Sequence, residues 1–97
     1  MKKENEIFNR IINKQEFSTG NTLLFYATLN NLKPIVELLL KKGSDPNLQN
    51  KFGNSPLHIA YKNDNPFMIN LLLENGSNQK LKNCKGLLPW QLSKYIN

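Results

Sequence analysis

The chain has 97 residues, 39% of them apolar and 21% charged, and this apolar share excludes a wholly disordered chain and suits one small domain. The net charge is +6, but the lysines are scattered and never form a run longer than two, which indicates a solvated basic surface. A single cysteine, Cys84, excludes an internal disulfide and a zinc site built on cysteine pairs.

The apolar runs are too short for a signal peptide or a membrane span, and the lone cysteine fits a reducing compartment. We therefore expect a cytoplasmic protein, with the nucleus as the alternative. Asparagine and lysine together occupy 28 of the 97 positions, which we attribute to an AT-rich genome and not to mechanism.

Residues 1–17 are predicted to form an N-terminal capping helix. Ile7, Phe8, Ile11 and Ile12 have helical spacing, so they share one helix face that would cover the structure that follows. Phe17 is expected to help seat this helix.

An internal repeat begins after this helix. Gly20, Gly53 and Gly86 recur at a constant spacing of 33, and residues 20–52 laid over residues 53–85 give 12 identities. Each unit reads as two short helices joined by a turn. In the first unit, residues 18–50, helices are predicted near 23–28 and 34–41, with Gly43 ending the second.

The second unit, residues 51–83, has clearer helix boundaries. Ser55 is predicted to cap a helix over 56–63 whose first residue is Pro56, and Asn65 to cap the next helix, which Gly76 ends. The buried residues of that second helix are expected to be Met68, Ile69, Leu71, Leu72 and Leu73.

Residues 84–97 are predicted to form a C-terminal half repeat. Trp90, Leu92, Tyr95 and Ile96 would cover the second unit, because a repeat buries its apolar face only against its neighbours. Two full repeats are near the lower limit for a stable stack, so we expect low stability or weak self-association through an end.

The motifs of the second unit carry a family resemblance. Residues 53–60 read GNSPLHIA and residues 71–77 read LLLENGS, which resembles the ankyrin signatures GxTPLHxA and LLxxG. The first unit matches more loosely, with Thr22-Leu23-Leu24-Phe25 in place of TPLH. The resemblance implies an all-α ankyrin solenoid with extended connectors, a protein–protein interaction module without enzymatic activity, and no cofactor.

In ankyrin-like proteins, partners are contacted by the connector tips and the exposed side of the first helices. Carried over by position, the resemblance implies a partner-binding set of Thr19, Asn21, Leu29, Asn30, Lys51, Phe52, Asn54, Lys62, Asn63, Lys85 and Leu87. Phe52 has the character of an interface anchor, with packing against a neighbouring connector as the alternative.

The residues that could carry chemistry have simpler interpretations. The resemblance gives His58 a structural role in fixing a turn, and Cys84 lies in a connector without a histidine beside it in sequence, as an ordinary surface thiol would. The sequence has no phosphate-binding glycine loop and no metal-ligand cluster. Residues 39–47 resemble the segment in which asparagine hydroxylases modify ankyrin proteins, at Asn47, with plain repeat geometry as the alternative.

Three functional hypotheses follow. The leading one is a protein-binding module whose concave face grips an acidic or mixed surface, because Lys51, Lys62 and Lys85 are predicted on one side. The second is nucleic-acid binding, which rests on charge alone. The third is an assembly protein whose apolar ends stack with other copies.

Overall fold

The fold is a short stack of helical hairpins, seen in a computed structural model that describes residues 2–95. Within that range it has five α-helices and one 3₁₀ helix, η1. They are α1 (Lys2–Ile12), α2 (Leu23–Leu29), α3 (Lys33–Lys41), α4 (Pro56–Lys62), α5 (Pro66–Glu74) and η1 (Pro89–Leu92). The all-helical prediction is confirmed, and the four repeat helices begin and end within about two residues of the predicted bounds.

The helix boundaries follow from local chemistry. The Thr22 and Asn65 side chains accept hydrogen bonds from the backbone N–H groups of Phe25 and Met68, each at 3.1 Å, and Ser55 caps α4 in the same way. The predicted caps at Ser55 and Asn65 are confirmed. Gly43 and Gly76 end the second helices with φ of 102° and 94°, a conformation that glycine adopts without strain.

One continuous core runs through the stack. Leu24 and Leu57, at equivalent positions of the two repeats, are both fully buried, each in the first helix of its repeat. Of the five residues predicted to be buried in α5, Met68 and Leu72 are, and the other three are half-buried against the core. The buried core cluster consists of Ile12, Leu24, Ala27, Val36, Leu39, Leu57, Ala60, Met68 and Leu72.

Three extended connectors project from the helices, and we name them finger 1 (13–22), finger 2 (46–55) and finger 3 (79–88). Each finger hydrogen-bonds to the next, from Lys51 N–H to Thr19 O at 3.0 Å and from Cys84 N–H to Phe52 O at 2.9 Å. A Cβ at Gly53 would lie 2.7 Å from the Cys84 nitrogen. Glycine therefore permits this close approach of neighbouring backbones.

Amide side chains join successive repeats. Asn47 Oδ1 accepts a hydrogen bond from Asn78 N–H at 2.7 Å, and its Nδ2 donates to Gly76 O at 3.0 Å. Asn13 Oδ1 likewise accepts from Asp45 N–H at 2.7 Å. Part of the asparagine content therefore stabilises the stack, a role that the compositional interpretation did not anticipate.

The same bonding pattern extends the repeat register into finger 1. Gln15 donates to Gly20 O and Gln49 O, just as Gln49 donates to Gly53 O and Lys82 O. The separation of Gln15 and Gln49 is 34 instead of 33, because the tip of finger 1 contains one extra residue.

The N-terminal cap is less complete than predicted. Only Ile12 is buried, whereas Ile7, Phe8 and Ile11 remain exposed. The prediction that all four cover the first repeat is therefore wrong. No glycine precedes residue 20 to end α1, so this helix continues as far as Ile12. At the corresponding position of the later repeats the second helix has already ended. Most apolar side chains of α1 therefore face solvent.

Phe17 does not seat α1, contrary to our expectation. Its side chain is 93% exposed, because it lies in the turn over residues 17–19 that forms the projecting tip of finger 1. The connector that was expected to hold the helix therefore carries an aromatic side chain into solvent.

The C-terminal cap is also partial. Leu92 is half-buried, but Trp90 and Tyr95 are exposed, and Ile96 lies outside the described residues. The prediction that these residues cover the second repeat is wrong for Trp90 and Tyr95, because η1 has only four residues and presents no long face. The Ser93 hydroxyl bonds to the Asp64 carboxylate and ties this segment to the second repeat.

No helix within residues 2–95 is long and apolar enough to cross a membrane.

Candidate functional site

A cleft of about 330 Å³ lies between finger 2 and finger 3. Its lining residues are Phe52, Asn54, Lys62, Asn83, Cys84, Lys85, Leu87 and Leu92. Five of these belong to the partner-binding set inferred from the sequence. The sequence prediction missed the other three, Asn83, Cys84 and Leu92. Their positions in the repeat were the available clue, since Cys84 adjoins Lys85 at the tip of finger 3 and Leu92 occupies the same position of the repeat as Ile59.

The tip of finger 2 presents Phe52 on a fixed backbone. Asn50 Oδ1 accepts hydrogen bonds from the N–H groups of Phe52 and Asn54, at 3.0 and 2.9 Å, and Phe52 O accepts one from Cys84. The Phe52 side chain is nevertheless 69% exposed. The residue is therefore held by its backbone while its ring remains free for contact.

The polar groups of the cleft are mostly donors. Lys62 and Lys85 are exposed ammonium groups. Asn83 Nδ2 donates to Asn54 Oδ1 at 3.0 Å, and Asn83 Oδ1 accepts from the N–H groups of Lys85 and Leu87. These bonds occupy the side-chain oxygens of Asn54 and Asn83 and leave the Asn54 NH₂ group to a ligand.

Four other residues of the inferred set use their side chains within the chain. The Asn21 oxygen accepts from Asn50 Nδ2 at 2.9 Å, and Asn30 Nδ2 donates to Tyr26 O at 2.9 Å. Asn63 Nδ2 donates to the carbonyl of Leu29 at 3.2 Å. The fourth, Thr19, bonds within finger 1.

Finger 1 is organised around the Glu16 carboxylate. It accepts hydrogen bonds from the hydroxyl groups of Thr19 and Tyr26, and these two bonds, the Thr19 bond first, hold the pKa of Glu16 below its usual value. Thr19 Oγ1 also accepts from Asn21 N–H at 3.1 Å. Its hydroxyl is thus occupied before any partner arrives.

The three lysines predicted on one side do not all line the cleft. Lys62 and Lys85 do, whereas the Lys51 ammonium lies 5.0 Å from the centre of the Phe17 ring, towards finger 1. Leu29 is exposed at the end of α2. Phe17 was missed as a surface residue, because nothing in its sequence context indicates that it faces solvent.

His58 joins the start of α4 to finger 3 through hydrogen bonds of its ring. Its Nδ1 accepts a hydrogen bond from Ser55 N–H at 3.1 Å, so its Nε2 carries the proton and donates to Leu87 O at 3.0 Å. Burial lowers the pKa of His58, and the bond to the Leu87 carbonyl opposes that shift. The structural role implied for this histidine is confirmed.

Cys84 is an exposed free thiol whose Sγ lies 3.6 Å from Lys51 O. Among residues 6–95, whose side chains the structure describes, no three side chains of His, Cys, Asp or Glu come together as a metal site.

The helical hairpins, projecting fingers and repeat-to-repeat hydrogen bonds invite comparison with known proteins. The family model of ankyrin repeats, in three copies, matches residues 1–89. The chain belongs to the ankyrin repeat family. Ankyrin repeats are in general protein–protein interaction modules and non-enzymatic scaffolds.

Two relatives show the extent of the similarity. An ankyrin repeat protein of Rickettsia felis is 46% identical over 50 residues, which are 47% of this chain and 22% of that protein. The crystal structure of the ankyrin repeat domain of Bcl-3, a member of the IkappaB family, superposes with a TM-score of 0.82 at 30% identity. That match covers 86% of this chain and 36% of the Bcl-3 chain. This chain therefore spans well under half of either relative.

Proposed function

We propose that this ankyrin repeat chain binds a protein partner through the cleft and the finger tips around it. The observation that carries the proposal is Phe52, an aromatic side chain 69% exposed on a tip whose backbone is fixed by hydrogen bonds. Exposed aromatic anchors on rigid scaffolds contribute much of the binding energy at protein interfaces, because little conformational freedom is lost on binding.

The proposed contact set keeps all eleven residues inferred from the sequence, with different weights. Phe52, Asn54, Lys62, Lys85 and Leu87 line the cleft and form the centre of the contact set. The residues whose side chains bond within the chain act chiefly by fixing the fingers and the ends of the first helices. Lys51 and Leu29 extend the surface towards finger 1.

Affinity capture from a cell extract tests the proposal. The native chain is compared with a variant carrying Phe52→Ala, Lys51→Glu and Lys62→Glu, and we expect the native chain to retain a protein that this variant loses. A matched control carries Phe67→Ala, Lys41→Glu and Lys80→Glu, which make the same chemical changes at exposed residues outside the cleft.

Circular dichroism first establishes that both variants are folded. If the control variant loses the protein as readily as the cleft variant does, the interaction depends on net charge and the proposed surface is wrong. Nuclease treatment of the extract separates direct capture from capture through nucleic acid, the alternative that charge suggested.

Self-association is a second candidate function, favoured by the uncovered N-terminal end. Leu23, Ile35 and Leu38 of the first repeat and Ile7 and Ile11 of α1 are all exposed apolar side chains. Sedimentation equilibrium should then show a mass that rises with concentration, and Ile35→Glu should return it to that of a monomer. A constant monomer mass at high concentration contradicts this candidate.

A further inference from the structure

The charged side chains that line the cleft all have one sign. Lys62 enters it from the end of α4 and Lys85 from the tip of finger 3, and none of the eight lining residues is acidic. Two lysines without an acidic residue in the lining create a local positive potential, which favours an anionic ligand.

The hydrogen-bonding capacity of the cleft points the same way. The Asn54 NH₂ group and the two ammonium groups are donors, while the Asn54 and Asn83 oxygens already accept bonds within the chain. A ligand that matches this surface is rich in acceptors. Carboxylate groups meet that requirement, because an ionised carboxylate accepts hydrogen bonds and donates none.

The remaining walls are apolar. Phe52, Leu87 and Leu92 line the same space, whose volume of about 330 Å³ is at the small end of ligand-binding cavities. A cleft of this size takes one or two side chains and not a folded element. An apolar side chain flanked by acidic ones would satisfy both kinds of wall.

The preceding repeat does not offer the same chemistry. The positions equivalent to Lys62 and Lys85 in that repeat are Leu29 and Phe52, so the pair of lysines is replaced there by two apolar side chains. The basic pair is therefore a feature of the cleft between fingers 2 and 3, and the repeat architecture does not by itself produce it.

We infer that the cleft binds an acidic peptide segment, with Asp or Glu side chains on Lys62 and Lys85 and an apolar side chain against Phe52 and Leu87. The inference rests on the proposed function and names the chemistry of the partner. A peptide fits better than a single small anion, because the two lysines and the apolar walls together call for a ligand with both kinds of group.

A phage library of random dodecapeptides, selected on the immobilised native chain, tests this. We expect the selected peptides to be enriched in Asp and Glu next to an apolar residue. The most frequent sequence is then synthesised with a fluorescent label and its affinity is measured by fluorescence anisotropy. Lys62→Gln with Lys85→Gln should weaken binding about tenfold or more, as two charge-assisted contacts are lost.

The matched control is Lys41→Gln with Lys80→Gln, which removes the same charge from exposed lysines outside the cleft and should leave the affinity within about twofold. The reactivity of Cys84 shows whether the peptide binds in the cleft, because Cys84 is the chain's only cysteine and lines the cleft. Bound peptide should slow its reaction with a thiol reagent at least severalfold.

Three results would overturn the inference. The first is a selection that enriches neutral or basic peptides, or none at all. The second is a Lys62→Gln and Lys85→Gln variant that binds the acidic peptide as well as the control does. The third is a single-stranded DNA dodecamer that displaces the peptide and protects Cys84 equally. If Phe52→Ala abolishes binding of the selected peptides while the lysine pair has no effect, the proposed function stands and only the acidic chemistry is wrong.

Discussion

Met68 in α5 and Ile35 in α3 occupy the same position of the repeat, yet Met68 is 1% exposed and Ile35 is 46% exposed. Met68 belongs to the buried core cluster that includes residues of the first repeat, whereas Ile35 is left uncovered behind α1. Leu24 and Leu57, the matching pair in the first helices, are both fully buried. In a stack of repeats, burial thus depends on the neighbouring repeat as much as on the residue itself.

The largest expected effect comes from truncating this pair of residues. Met68→Ala should lower the free energy of unfolding by about 2–5 kcal/mol, because it leaves a cavity in the core. Ile35→Ala should lower it by less than about 1 kcal/mol, since much of that side chain already contacts water. Urea denaturation followed by circular dichroism measures both. Equal losses would mean that α1, or another copy of the chain, covers Ile35 in solution.

The finger glycines extend the comparison to the backbone. Gly53 and Gly86 have nearly the same φ, 76° and 75°, but a Cβ at Gly53 meets the Cys84 nitrogen whereas one at Gly86 meets no atom within 4 Å. Gly53→Ala should therefore destabilise the chain by about 1–3 kcal/mol more than Gly86→Ala, because only the former must push two fingers apart. Denaturation midpoints of the two variants give the difference, and similar midpoints would show that finger 3 yields without cost.

The sequence alone predicted the helices of the two repeats, because the residues that determine where these helices begin and end act within their own turns. The repeat period located the helices, and Ser55 and Asn65 marked where α4 and α5 begin, through side-chain oxygens that bond within their own turns. The five cleft residues came from the same register. None of these inferences required knowledge of what lies on the other side of a helix.

The two ends could not be predicted in this way. Apolar spacing in α1 and around Trp90 indicated faces suited to burial, but burial needs a neighbour of the right shape, and the spacing does not supply one. The extra residue in finger 1 shifted the spacing by one and concealed the match of Gln15 to Gln49. The direction of Lys51 depends on Phe17 in another finger, which only the folded structure brings near.

His58 gives the second repeat a pH-dependent contribution to stability that the first repeat lacks, since the first repeat has Phe25 at the equivalent position. Burial holds the pKa of His58 in the folded chain below that of the unfolded chain. As pH falls below about 6.5, the unfolded chain binds a proton that the folded chain does not, so stability decreases towards acid. Above that pH both states are neutral at this residue and its contribution is constant.

His58→Phe should remove this component of the pH dependence. It should also lower stability at every pH by about 1–3 kcal/mol, because Ser55 N–H loses its acceptor and Leu87 O keeps only the hydrogen bond from Asn83 N–H. Urea titrations of both proteins at pH 7.5 and 5.5 measure the two effects separately. If the native chain and the variant lose the same stability on acidification, the carboxyl groups and not His58 cause the loss.

The smallest expected effect on stability comes from the aromatic residues at the finger tips, and it gives the sharpest contrast in binding. Phe17→Ala and Phe52→Ala should each change the free energy of unfolding by less than about 0.5–1 kcal/mol, because both side chains are exposed and Phe17 loses only its contact with Lys51. Phe52 lines the cleft and Phe17 does not. In the anisotropy assay Phe52→Ala should therefore weaken peptide binding about tenfold, as loss of an interface anchor does, and Phe17→Ala less than about twofold. A loss of binding in the Phe17 variant alone would move the binding surface from the second repeat to finger 1.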